Sequence, residues 1–167
     1  LFPYTTLFRS MNECISLGEE IRALSENITV IFGNVALEKG KINPDGRIRK
    51  YNAMFIAQNG KFIAPGRSPY PFYIKTLLPD YREFDDLRYF TSLTEVAAER
   101  HAFPEDFLSP LHLTFKNGDE LLIGPLICED SWDENYAVKP MSYLNDSYDI
   151  DLYVNISNSP FTLGKPE

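Results

Sequence analysis

Two Asn-Gly dipeptides, Asn59-Gly60 and Asn117-Gly118, each stand between runs of apolar, β-prone residues, and they constrain the fold more than any other feature of the chain. Asparagine and glycine enter positive φ at the least cost, so an Asn-Gly step between strands reads as a tight hairpin turn. The first pair joins residues 51–57 to 61–64, and the second joins residues 111–115 to 120–127. Residues 28–32 are β-branched and aromatic and predict a short buried strand that Gly33-Asn34 ends. Residues 149–156 alternate and then become apolar on both faces, the pattern of a central strand ending at an active-site edge. Ile15, Leu17, Ile21 and Leu24 recur at helical spacing and predict a surface packing helix over residues 12–25. Residues 65–110 are rich in proline and aromatics and read as long ordered loops with one short helix over 92–100. Loops of that length usually carry function.

Composition narrows the partners. With 44% hydrophobic and 14% aromatic residues in 167, the chain can bury a sizeable core and fits one domain or most of one; a disordered chain is excluded. Sixteen Lys and Arg against 24 Asp and Glu give a net charge of -8, which repels both phosphate backbones and anionic lipid headgroups. Neither nucleic acid nor a membrane surface is expected as a partner. No apolar run approaches the ~20 residues of a membrane span, and the N-terminus lacks the order of a secretory signal, so a cytoplasmic location is expected. Two cysteines, Cys14 and Cys128, far apart in sequence, do not suggest a disulfide scaffold.

The ends set the expected boundaries. Residues 1–10, LFPYTTLFRS, match the in-frame translation of a sequencing adapter and are set apart as an artefact; a natural aromatic segment is the alternative. Residues 11–167 are then read as one partial domain, and FTLGKPE at the far end also looks cut.

Three segments carry chemistry. Residues 121–127 form an apolar run ending on Cys128-Glu129-Asp130-Ser131-Trp132. A nucleophile on such a turn is exposed at a sheet edge, where the following backbone N–H groups can face a developing oxyanion. A cysteine ending an apolar strand is equally what a small buried hydrophobe looks like. A thiol of ordinary acidity needs a base or cation to become a thiolate, and Glu129 and Asp130 work against that. Lys75, between Pro69-Tyr-Pro-Phe-Tyr73 and Leu77-Leu-Pro-Asp-Tyr81, is the candidate cation, although a lone lysine is usually just solvated. The third segment, residues 155–165, gathers small polar groups after a buried strand, where α/β sheets bind ligands; an ordinary Ser/Asn/Pro turn has the same composition.

Taken together, the segments resemble the nitrilase superfamily of carbon–nitrogen hydrolases, and within it the glutaminase domain of glutamine-dependent NAD synthetases. The resemblance rests on Lys75-x-x-Leu78-Pro79-x-Tyr81-x-x-Phe84-Asp85-Asp86-x-Arg88-Tyr89-Phe90, with Asp86 where glutamate is commoner. It rests also on Ile127-Cys128-Glu129-Asp130-x-Trp132 and on the serine-proline turn at 155–165. It implies an α/β fold, an α-β-β-α sandwich truncated at both ends. It further implies a Glu-Lys-Cys triad in which Cys128 is acylated and Lys75 stabilises the tetrahedral intermediate, with Tyr81, Glu129 and Ser159 lining a glutamine pocket. The glutamate belongs to a Phe-Pro-Glu-like segment ahead of the first helix, which has no counterpart here, so neither Glu13 nor Glu19 is assigned and residues 11–167 alone are expected to release little or no ammonia from glutamine. No cofactor is expected on this chain. ATP and deamido-NAD belong to a separate synthetase domain of the parent enzyme, itself expected to be a homo-oligomer; no Ser-Gly-Gly pyrophosphate loop occurs here. A stand-alone nitrilase-type amidase and an inactive structural homologue are the alternatives.

Overall fold

The structure is a computed structural model describing residues 4–82 and 84–158, with the backbone alone for residues 4–9. Among the described residues it is a mixed α/β fold of three helices and two sheets. The first sheet contains β1 (Val30–Ile42), β2 (Ile48–Gln58), β3 (Lys61–Phe62) and β4 (Tyr73–Ile74). β2 is its centre, pairing antiparallel with β1 on one side and with β3 and β4 on the other. The second sheet has the order β5 (Leu111–Thr114), β6 (Glu120–Ile127), β7 (Leu152–Ile156), with β5 antiparallel and β7 parallel to β6. The helices are α1 (Tyr4–Leu24), α2 (Leu93–Glu99) and α3 (Pro140–Ser147).

Strand alternation places the two cores. Met54 and Ile56 of β2 point to one face and meet Leu111, Leu113, Ile123 and Ile127, so the sheets are joined through an apolar layer. Tyr51 and Ala53 point the other way and pack with Phe72, Ile74, Leu93 and Val96. Tyr51, Phe55, Tyr70 and Phe72 have ring centroids 5.1 to 5.9 Å apart, within the range where aromatic pairs attract beyond their buried area. α2 begins at Ser92, whose side chain caps Glu95 N–H while Glu95 returns the bond to Ser92, a reciprocal cap that satisfies two helix-end donors. α3 rests Leu144, fully buried, against the β6 side of the molecule.

Several expectations change. The 59–60 turn is the expected two-residue hairpin, with φ of 52° at Asn59 and 71° at Gly60. The 117–118 turn is of another kind, since positive φ falls on Gly118 alone, while Gly118 N–H donates to Phe115 O and Phe115 N–H to Asp119 O. That is a three-residue loop with a glycine bulge, and Asn43 to Arg47 repeats it around Gly46. Gly33-Asn34 does not end a strand, and β1 continues to Ile42. Gly33 is instead a point of close approach, because a Cβ there would lie 3.1 Å from Ile156 Cδ1 across the sheet interface. β7 is an edge strand in the described residues, with Leu152 half exposed, rather than a central one. The first helix starts at Tyr4, inside the segment set apart on sequence grounds; once a helix exists, adding a residue gains a bond without a new nucleus.

Gly124 of β6 gives a direct test of packing. A Cβ on Gly124 would meet Tyr153 ring carbons at 2.6 Å, and Tyr153 is its register partner on β7. Gly124→Ala is expected to cost about 1–3 kcal/mol through forced displacement of that ring, read as a lower urea midpoint at unchanged slope.

Candidate functional site

β6 delivers Cys128 to the end of its strand, where the chain turns into a short 3-10 segment, Cys128–Ser131. Cys128 has φ of 51°, the left-handed region, which a residue with a Cβ occupies only when its surroundings hold it there. Asn155 of the adjoining β7 supplies part of that hold: its Oδ1 accepts Cys128 N–H at 2.6 Å, and its Nδ2 donates to Cys128 O at 3.2 Å. The Cys128 amide is therefore committed to Asn155, which leaves oxyanion binding to other donors.

Lys75 follows β4 directly and is pinned through its backbone. Its N–H donates to Asn52 O at 2.9 Å, and its carbonyl accepts from Leu93 N–H at 3.2 Å at the start of α2. The side chain is 4% exposed, and Nζ forms an ion pair with Asp86 Oδ2 at 2.6 Å. A buried ammonium persists only with such a partner. Lys75, Asp86 and Cys128 line one cavity of about 510 Å³ together with Asn34, Asn52 and Phe90. The sequence thus pointed to two residues 53 positions apart that the fold brings to one hollow.

Asp130 ties the two segments together. Its carboxylate accepts Leu77 N–H at 2.8 Å and Thr76 N–H at 3.1 Å from the lysine segment, and Ile127 N–H at 3.2 Å from the cysteine turn. Asp130 is buried. Burial pushes its pKa up to about 7, and the backbone donors together with Lys75 pull the other way. In the sequence Asp130 stood as a letter of the cysteine motif and as a charge that opposes the thiolate. An acid immediately after an apolar strand was the available signal, since such a group is buried only where N–H donors wait for it.

Tyr81 and Glu129 lie together but beside a second cavity, of about 970 Å³, with Trp132 and Tyr136. Glu129 accepts Tyr81 O–H at 2.9 Å and Tyr136 O–H at 2.8 Å; desolvation and the neighbouring carboxylate push the Tyr136 phenol up and hold it protonated as a donor. The expected pocket residues are therefore divided: Cys128 and Lys75 face one hollow and Tyr81 and Glu129 the next, with the Cys128-Glu129 peptide between them. Ser159 lies outside the described residues. Among the described residues no group of three or more His, Cys, Asp or Glu side chains is placed to hold a metal ion, and no helix is long and apolar enough to cross a membrane.

Comparison with known proteins agrees with the motifs. The chain is 30% identical to a glutamine-dependent NAD(+) synthetase of Synechocystis sp. over 171 aligned positions, covering 98% of this chain and 27% of that protein. It is 30% identical to the Thermotoga maritima protein of the same name over 70% of this chain and 16% of that protein. The Acinetobacter baylyi protein of that name is 28% identical over 85% of this chain and 20% of its own length. The chain thus spans about a quarter or less of the curated relatives it matches. No protein-family model matches it. The resemblance to one segment of glutamine-dependent NAD(+) synthetases, read first from the lysine and cysteine motifs, is shown by these relatives.

Proposed function

We propose that this chain is part of a nitrilase-like, glutamine-hydrolysing domain that supplies ammonia for NAD synthesis, with Cys128 as nucleophile and Lys75 as the cation facing it. The observation that carries the proposal is the shared cavity at the end of β6, lined by both a buried, ion-paired lysine and a cysteine at positive φ. The two joined sheets, with α1 and α2 outside the first and α3 against β6, are the described part of an α-β-β-α sandwich. In the reaction, Cys128 sulfur adds to the side-chain amide carbon of glutamine, and the carbonyl oxygen takes the electron pair as an oxyanion beside Lys75. Collapse of that intermediate breaks the C–N bond; the nitrogen takes up the proton that the Cys128 thiol gave up and leaves as ammonia. Water then adds to the thioester and releases glutamate and the thiol. Glu129, held by two phenols, still has lone pairs to accept the substrate's α-ammonium across the rim between the cavities, with Tyr81 beside it.

The test is chemical. In the full-length enzyme, a glutamine-mimicking electrophile such as diazo-oxo-norleucine is expected to label Cys128, found by peptide mass mapping, and excess glutamine is expected to protect it. Labelling of Cys14 instead, or no labelling, would favour an inactive homologue. Protection by other small amides but not by glutamine would favour a stand-alone amidase.

A further inference from the structure

We infer that Asn155 is the positioning residue of the cysteine turn, a role that rests on reading Cys128 as the nucleophile. A residue at φ of 51° is held against its own Cβ, and β6 stops making ladder bonds at Ile127, which pairs with Ile156. The carboxamide of Asn155 takes over where the ladder ends. Its Oδ1 faces the one N–H donor, Cys128 N–H, at 2.6 Å, and its Nδ2 faces two acceptors, Cys128 O at 3.2 Å and Ser131 Oγ at 2.7 Å. Ser131 Oγ in turn donates to Cys128 O at 3.0 Å. That distribution of one acceptor and two donor contacts suits an asparagine in a single orientation.

A side chain that grips both the N–H and the C=O of one residue fixes its φ and ψ together, and with them the direction of its Cα–Cβ bond. Because β7 runs parallel to β6, its Asn155 reaches the same sheet edge as Cys128, which an antiparallel neighbour of this length would not arrange from its C-terminal end. Asn155 touches no reacting atom. Its effect passes through the Cys128 peptide, keeping the sulfur in the hollow it shares with Lys75 and withdrawing the Cys128 amide from oxyanion binding.

The experiment compares Asn155→Ala and the nearly isosteric Asn155→Asp with the full-length wild type. Iodoacetamide alkylation of Cys128 is measured against Cys14 as internal reference, alongside glutamine turnover. In Asn155→Ala the Cys128-to-Cys14 alkylation ratio is expected to fall by roughly tenfold as the sulfur leaves its cationic neighbour. The kcat for glutamine is expected to fall by about 10²-fold with KM within about threefold, the mark of a misaimed nucleophile rather than lost binding. Asn155→Asp keeps the acceptor for Cys128 N–H but sets a carboxylate against Cys128 O, and its charge also disfavours the thiolate, so its ratio is expected to fall at least as far. An unchanged ratio in both variants overturns the inference whatever the turnover; if Asn155→Ala does not fold by circular dichroism, Asn155→Ser, which removes the carboxamide without adding charge, decides on the same ratio. A wild type that neither turns over glutamine nor takes the glutamine-mimicking label removes the functional reading and with it the catalytic meaning of the role, and a fallen ratio then shows only that Asn155 holds the cysteine turn.

Discussion

Asp130→Ala is expected to lower the stability of the protein by about 3–6 kcal/mol, because it leaves the buried N–H groups of Thr76, Leu77 and Ile127 without an acceptor, at roughly 1–3 kcal/mol each. That is a large share of the ~5–15 kcal/mol that separates folded from unfolded domains. The loss is offset in part by no longer burying a carboxyl group. Asp130→Asn is expected to fall between the two, since one oxygen can still serve Leu77 and Thr76 while the amide nitrogen opposes Ile127 N–H. Urea denaturation with a shared slope checks the order.

The same residue gives a pH dependence with a definite sign. Its folded pKa, about 7, is raised above the unfolded value of 3.8. The folded protein therefore binds this proton more tightly, and the associated stability is fully present below 3.8 and lost as pH rises through about 7. The stability of wild type relative to Asp130→Asn is expected to decline between about pH 4 and pH 7.5. A difference that stays flat over that interval would place the carboxylate in the charged form throughout, governed by its N–H donors rather than by burial.

Lys75→Met is expected to lower kcat for glutamine by about 10²–10³-fold, the cost of removing one preorganised stabiliser of an oxyanion. KM should change little, because the developing charge exists only after attack. The variant also strands Asp86, whose side chain is 20% exposed beside the 4% exposed lysine, so a lowered melting temperature is expected as well. Lys75→Arg separates the two effects. It keeps the charge for Asp86 but spreads it over a planar fork too large for the same spot, and is expected to recover stability better than rate. Full turnover in Lys75→Met would remove the lysine from the mechanism.

What was legible in advance was local. A short helix over residues 92–100 and a hairpin at Gln58-Asn59-Gly60 were legible, because helix and turn bonds join residues two to four apart and leave their mark on adjacent letters. Cys128 and Lys75 were legible as chemical types, one at a strand end and one in an aromatic, proline-rich stretch. Gly33 was misread as a stop because its local pattern is that of a turn; its reason is Ile156, on another sheet. Asn117-Gly118 has the letters of one turn and the geometry of another, since the register of β5 and β6 decides how many residues the loop must hold.

By itself, then, the sequence determined the periodicities, the turn positions and the inventory of reactive groups, all properties that propagate over a few bonds. Only the tertiary structure decided that Lys75 and Cys128 face one hollow while Tyr81 and Glu129 face its neighbour. It alone gave Asp130 and Asn155 their roles, because a carboxylate that accepts N–H groups 53 and 54 residues away and a carboxamide that grips a peptide 27 residues back depend on chain crossings with no local trace. Burial and distance are properties of those crossings, and they turn ordinary polar letters into a site.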